Sequence, residues 1–120
     1  MAKILVHVTQ GPENPTRAAL AFLVARTAVD EGHEVVMFLA GDAVQLLRDA
    51  VLDNLNGLGT GKLRDSFDAV TAAGVRIHAS GMSSKARGIG DADISGKPVE
   101  MGTPNVLVRL AVEADRVLVY

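Results

Sequence analysis

The chain has 120 residues, 48% of them hydrophobic and 22% charged, with a net charge of −2. Such a chain folds as one domain, residues 1–120, with a core that needs no staples, and its charge sets up no field that would recruit nucleic acid or an acidic membrane. Cysteine is absent, which excludes disulfides, persulfide carriage, thiolate metal sites and a cysteine nucleophile.

In chain order, KILVHVT (3–9) is nearly all apolar and β-branched and reads as a strand buried on both faces. The opening MAKILVHV is therefore better explained as a strand than as a signal peptide, and the expected location is cytoplasmic. In the loop QGPENPT, Asn14 is placed to cap a helix and Pro15 to begin it. That helix presents Leu20, Leu23, Val24 and Ala28 on one face and closes at Gly32. Its longest apolar run, AALAFLVA, is too short to span a bilayer. HEVVMFLAG is a second strand. Asp42 is placed to cap a helix over 43–53 with Leu46, Leu47, Ala50 and Val51 on its apolar face.

NLNGLGTG, with three glycines, reads as a flexible loop, after which Leu63, Phe67 and Val70 restore helical spacing up to Gly74. VRIHAS (75–80) is the third strand, and a short helical piece follows around 82–88. GIGDADISGKPVEMG predicts an extended loop with a short strand at 97–100. Thr103 caps and Pro104 starts a last helix, NVLVRLAVEA, and DRVLVY is the closing strand. Apolar strands alternating with helices predict a Rossmann-like three-layer α/β/α sandwich whose mainly parallel sheet, of roughly five strands, is covered on both sides. Ligands in such folds sit at the carboxyl ends of the strands where the strand order reverses, and the loops 9–15, 40–42 and 80–88 can meet there.

The turn SGMSSKARG (80–88) is the most suggestive of the three. Gly81 permits a tight turn, the N–H groups after it can hold an anion, and Lys85 and Arg87 add positive charge; equally, Ser80 can simply cap a helix with solvated basic residues. As a nucleophile Ser80 needs a base, and His78, two residues back on the same strand face, is the candidate. No acid partner can be named, and the turn lacks the glycine pair of a nucleophile elbow.

His7, His33 and His78 lack the spacing of a metal pair, although the first and third strands can bring His7 and His78 near each other. A buried, hydrogen-bonded His7 and a surface His33 are expected, and no metal or cofactor is. NGLGTGKL is not a phosphate loop: Asn56 stands where the first glycine belongs, Leu63 replaces the metal-binding hydroxyl, and no strand precedes it. The first strand is not followed by a dinucleotide fingerprint. In DADISGKPVEMG (91–102), Asp91, Asp93, Ser95 and Gly96 match the start of a calcium loop. Gly102 stands where the bidentate Glu belongs, however, and Pro98 intrudes, so an acidic surface or interface loop is the reading.

The first strand with TQGPENPTRAALAFLVA, then GHEVVMFLAGDAV, GVRIHASGMSSKARGI and the terminal ADRVLVY, in this order and spacing, resembles the DsrE/DsrF-like family over nearly the whole chain. The resemblance implies a compact α/β sandwich, commonly assembled into trimers or hexamers. In sulfur-transferring members a cysteine in the loop after the third strand carries a persulfide. Here the matching position is Ser80, to within a residue, and a hydroxyl cannot accept sulfane sulfur. The resemblance thus carries the fold and not the sulfur chemistry.

A homo-oligomer is expected on two grounds: that resemblance, and the second helix, where Val44, Leu47, Val51, Leu52 and Leu55 spread around much of the circumference in a chain of mean hydropathy +0.24. Three functional readings follow. The first is a non-catalytic binding or accessory protein whose rim of Ser80, Gly81, Ser83, Ser84 and Lys85, faced by Gln10, Gly11 and Asn14, receives a small anionic ligand or a partner's segment. The second is an enzyme using Ser80 with His78 or His7. The third is a structural subunit that assembles with itself or with a cysteine-bearing paralogue.

Overall fold

Strands β1 (Lys3–Val8), β2 (Glu34–Leu39) and β5 (Arg76–Ser80) carry the β-branched and aromatic residues that suit a pleated, buried surface. They form the middle of a five-stranded parallel sheet in the order β6-β5-β2-β1-β7, with β6 (Val99–Gly102) and β7 (Arg116–Val119) at its edges. The computed structural model describes residues 1–120.

Helix α1 (Pro15–Asp30) starts as the sequence predicts: Asn14 accepts a hydrogen bond from the Arg17 N–H and Pro15 occupies the first turn. It is rotated from the predicted face, however. Ala18, Ala21, Phe22 and Ala25 are buried, and Leu20, Leu23 and Val24 are only half-buried. Small side chains let the helix axis approach the sheet and α3 (Leu63–Ala72), and Phe22 then reaches the Phe67 ring, 5.9 Å between centroids. The two helices enclose the main core over Val6, Val8, Met37, Leu39, Ile77 and Ala79.

The helix predicted over 43–53 is broken. A 3-10 helix spans Gly41–Leu47, Arg48 turns extended with ψ at 133°, and only Asp49–Leu52 is α-helical, as α2. Asp42 caps nothing; its carboxylate binds Arg87 instead. Val44, Leu47, Leu52 and Leu55 are buried in the chain's own core and Val51 is partly covered, so this segment offers no interface. A wide apolar arc meant deep burial here.

The glycine-rich stretch after it holds a small antiparallel hairpin, β3 (Asn56–Gly57) with β4 (Gly61–Lys62), in place of a plain loop. The region after residue 88 likewise holds a short helix, α5 (Asp91–Ile94), and the edge strand β6 lies slightly beyond the predicted 97–100. Lys97 pins this region by donating to the Asp93 carbonyl and pairing with Asp49 at 3.1 Å; that pairing, with a smaller contribution from Arg64, pulls the Asp49 carboxyl below the usual carboxylate range.

Both sheet faces are covered, as the sequence predicts, though unequally. From the edge strand β6, helix α6 (Pro104–Glu113) must return across the other face alone to reach β7 at the opposite edge. Thr103 caps it at the Val106 N–H and Pro104 starts it, as predicted, yet none of its residues is fully buried. Beneath it Val36, on the central strand, stays half-exposed, and a cavity of about 140 Å³ opens between Leu110, Glu113 and Ala114 and the strand starts at Lys3, Val36 and Arg76.

Candidate functional site

Because all five strands are parallel, their carboxyl ends bring three loops to one rim. Gly11 lies so close to the backbone of Asp42 that a Cβ there would stand 2.1 Å from the carbonyl oxygen, so only glycine fits. The Gly41 N–H donates to Ser83 Oγ at 2.9 Å, and Arg87 Nε pairs with Asp42 at 3.0 Å. The loops 9–15, 40–42 and 80–88 thus converge as the sequence suggests.

The convergence is not at the reversal of strand order. That lies between β1 and β7, where the Thr9 N–H and hydroxyl both donate to the Tyr120 carbonyl, at 2.7 and 2.9 Å. The Ser80 turn sits two strands away, between β2 and the edge strand β6.

Ser80 ends β5 and caps α4 (Gly81–Ala86): its Oγ accepts the Ser83 N–H at 3.1 Å. Ser83 continues the chain of bonds to Gly41, and its carbonyl accepts from Arg87 at 3.2 Å. The Arg87 carbonyl in turn accepts from Arg48, 2.6 Å away, and the Gly11 N–H is taken by Glu13 at 2.8 Å. The N–H groups of Gly11, Gly41 and Ser83 and the Arg87 guanidinium, which could have met an anion, are therefore held by the protein. Ser84 is buried with an unpartnered Oγ, Gln10 is half-buried, and Asn14 is engaged in its cap. Gly81 is half-exposed, while Lys85 and the apolar Met82, 73% exposed, project from α4.

No histidine bonds to Ser80. His78 is buried and His7 half-buried, and the Nε2 atoms of both are shielded and unpartnered, which corrects the expectation of a hydrogen-bonded His7. Sheet register sets them in one row with Phe38 between: His7 meets the Phe38 ring edge-on at 6.0 Å, and His78 stacks on its other side at 6.2 Å. The intervening ring keeps the two imidazoles from a shared metal. Gly102 completes the packing, since a Cβ there would stand 3.0 Å from Phe38. Burial pushes both histidines below their usual value near 6.5; at His78 the Arg76 charge adds to this and Glu100 opposes it. His33, expected on the surface, is half-buried and accepts the Ala2 N–H through Nδ1.

Nowhere do three His, Asp or Glu side chains gather as a metal-binding group. In the 91–102 segment, Asp93 accepts the Gly90 N–H at the start of α5. No helix is long and apolar enough to cross a membrane.

An all-parallel five-stranded sheet with a serine-capped turn after its third long strand defines a doubly wound α/β protein. The whole chain fixes the class more closely: residues 2–120 match the DsrE/DsrF-like family model, and this protein belongs to that family. Among curated proteins, an uncharacterized protein of Methanopyrus kandleri, MK0008, is 32% identical over 117 residues, covering 98% of this chain and 93% of its own. Among solved structures, the ychN protein from E. coli superposes with a TM-score of 0.78 at 21% identity, covering all of both chains. A conserved protein of unknown function from Bacteroides thetaiotaomicron, BT1422, gives 0.67 at 13% identity, covering 99% of this chain and 95% of its own. At those identities the likeness is one of fold.

Proposed function

We propose that this chain is a non-catalytic binding or accessory protein of the DsrE-like fold, working as a homo-oligomer and receiving a segment of a protein partner at the rim beside residue 80. The observation that carries this reading is the spent state of the rim. Ser80 holds the Ser83 N–H, Ser83 holds the Gly41 N–H, and Arg87 is neutralised by Asp42. A hydroxyl that accepts a cap, with no base beside it, is not an activated nucleophile. A small anion would find those N–H groups and Arg87 already engaged, whereas the exposed Met82 offers an unbranched, adaptable apolar anchor of the kind protein partners use. A cysteine-bearing paralogue is the partner that the family suggests, since this chain cannot carry sulfur itself.

The test is native mass spectrometry of gently purified protein beside its Met82→Asp and Lys85→Ala variants. A co-purifying polypeptide lost on Met82→Asp supports the partner reading. A small added mass lost only on Lys85→Ala turns the rim into an anion site. Assemblies of bare chains in all three samples would remove the rim from consideration and leave a purely structural subunit. Ser80→Ala should lower stability by about 1 kcal/mol through loss of the cap, without abolishing partner binding.

A further inference from the structure

The parallel strands end together at the Ser80 rim and begin together at the opposite end of the sheet, where a cavity opens that the rim does not use. It holds about 140 Å³ between the last turn of α6 and the starts of β1, β2 and β5. Its floor is apolar: Ile4, Val36, Leu110 and Ala114, each half-buried. Its mouth is charged, with Lys3 and Arg76 set against Glu34 and Glu113, all four exposed. A concave apolar surface with a few converging polar groups is the usual form of a small-molecule site. A cavity of roughly 150 Å³ holds a single benzene molecule. The apolar body of a ligand here is therefore a branched aliphatic chain or one phenyl ring, and a nucleotide or a fatty-acid chain is too large.

Charge narrows the head group. The two cations and two anions at the mouth cancel, so no field of one sign greets a simple anion or a simple cation. Lys3 and Glu34 satisfy each other at 3.6 Å. Glu113 belongs to no ion pair, and Arg76 reaches its carboxylate partner, Glu100, only at 3.9 Å. The last turn of α6 has no basic residue, so the negative end of the helix dipole adds to Glu113 in favouring a cation. What the mouth leaves unsatisfied is thus one guanidinium and one carboxylate over a shared apolar floor. A head group bearing both a carboxylate and an ammonium suits them, with the Arg76 fork donating to the carboxylate. A free amino acid carries both charges next to its side chain, whereas the end of a peptide carries only one of them.

We propose that the cavity beneath α6 binds a free α-amino acid with a medium-sized apolar side chain, its carboxylate on Arg76, its ammonium on Glu113 and its side chain over Val36 and Leu110. The site lies at the other end of the strands from the rim and does not rest on the reading given for that rim. The experiment is an amide-resolved NMR titration of the full chain with three probes: leucine, isocaproate, which lacks the ammonium, and isoamylamine, which lacks the carboxylate. Leucine should shift the signals of Val36, Leu110 and Ala114 and bind about threefold or more tightly than either analogue, the size that exposed ion pairs give. Arg76→Gln should bring leucine down to the affinity of the amine without changing the amine. Glu113→Gln should bring it down to that of isocaproate. Leu110→Trp should fill the floor and abolish binding of all three. Where circular dichroism shows that variant unfolded, Ala114→Leu narrows the same space and should weaken all three.

No shift at millimolar leucine, or shifts confined to residues away from these elements, overturns the inference. Isocaproate or the amine binding as tightly as leucine overturns it too, since the pocket would then take a singly charged ligand. Leucine binding that is indifferent to filling the floor puts the ligand elsewhere and overturns the site. None of these outcomes touches the Met82 test at the rim.

Discussion

The two faces of the sheet are built from the same strands and live in different surroundings. On one, alternate residues of β1, β2 and β5 meet two helices, and Val6, Val8, Met37, Leu39, Ile77 and Ala79 are buried. On the other, the intervening residues Leu5, Val36, His7, Phe38, Arg76 and His78 meet a single helix that must stretch from one edge of the sheet to the other. Two imidazole nitrogens are left without partners there, and the central Val36 remains half-exposed. The first face holds most of the fold's stability. The second is loosely finished, and therefore the one available for contacts.

The largest test of that contrast is Phe22→Ala, which empties the closed face and should cost about 3–5 kcal/mol, read as a lowered urea midpoint. Leu110→Ala on the open face should cost only about 1 kcal/mol, because a half-buried leucine forfeits a fraction of a full core deletion. An equal loss from the two would mean that the faces are energetically alike.

A subtler difference is in pH. The native histidines titrate below 6.5, so around and below that pH the unfolded chain binds more protons than the folded one. Their contribution is complete above about 6.5 and is lost as the pH falls toward the depressed native values. Urea unfolding of wild type at pH 7.5 and at pH 5.5 should show that loss, and the His7→Leu/His78→Leu double variant should show less of it. An undiminished pH slope in the double variant would assign the effect to other groups. The smallest effect is expected for Val108→Thr, whose side chain is already 60% exposed: within about 0.5 kcal/mol on the isolated chain.

Legibility followed the same division. The strands, the caps at Asn14, Ser80 and Thr103, and the meeting of three loops at one rim were readable, because each rests on local chemistry and alternation. The face of α1 was not, since leucine and valine outrank alanine in any hydropathy pattern while close packing chose the alanines. Val44, Leu47 and Leu52 announced burial without saying whether it was internal or between chains. At the rim, residue types were readable and their availability was not: whether Ser80 faces a ligand or an N–H depends on Ser83 and Gly41, the latter almost 40 residues away in sequence. The unpartnered histidines were hidden for the same reason, since register across three strands sets what surrounds them.

The sheet's β1–β7 border also has a kinetic meaning. Lys3 of β1 binds the Asp115 carboxylate across 112 positions of sequence, and Ile4 pairs with Arg116. Closing so long a loop is entropically slow relative to joining β1 to β2, about thirty positions apart. On a ribosome, β1 can find β2 and β5 long before residues 116–119 have been made, and until then its outer edge is open. The last strand to dock would then be absent from the folding nucleus. Weakening β7 should leave the folding limb of a chevron in place and raise the unfolding limb.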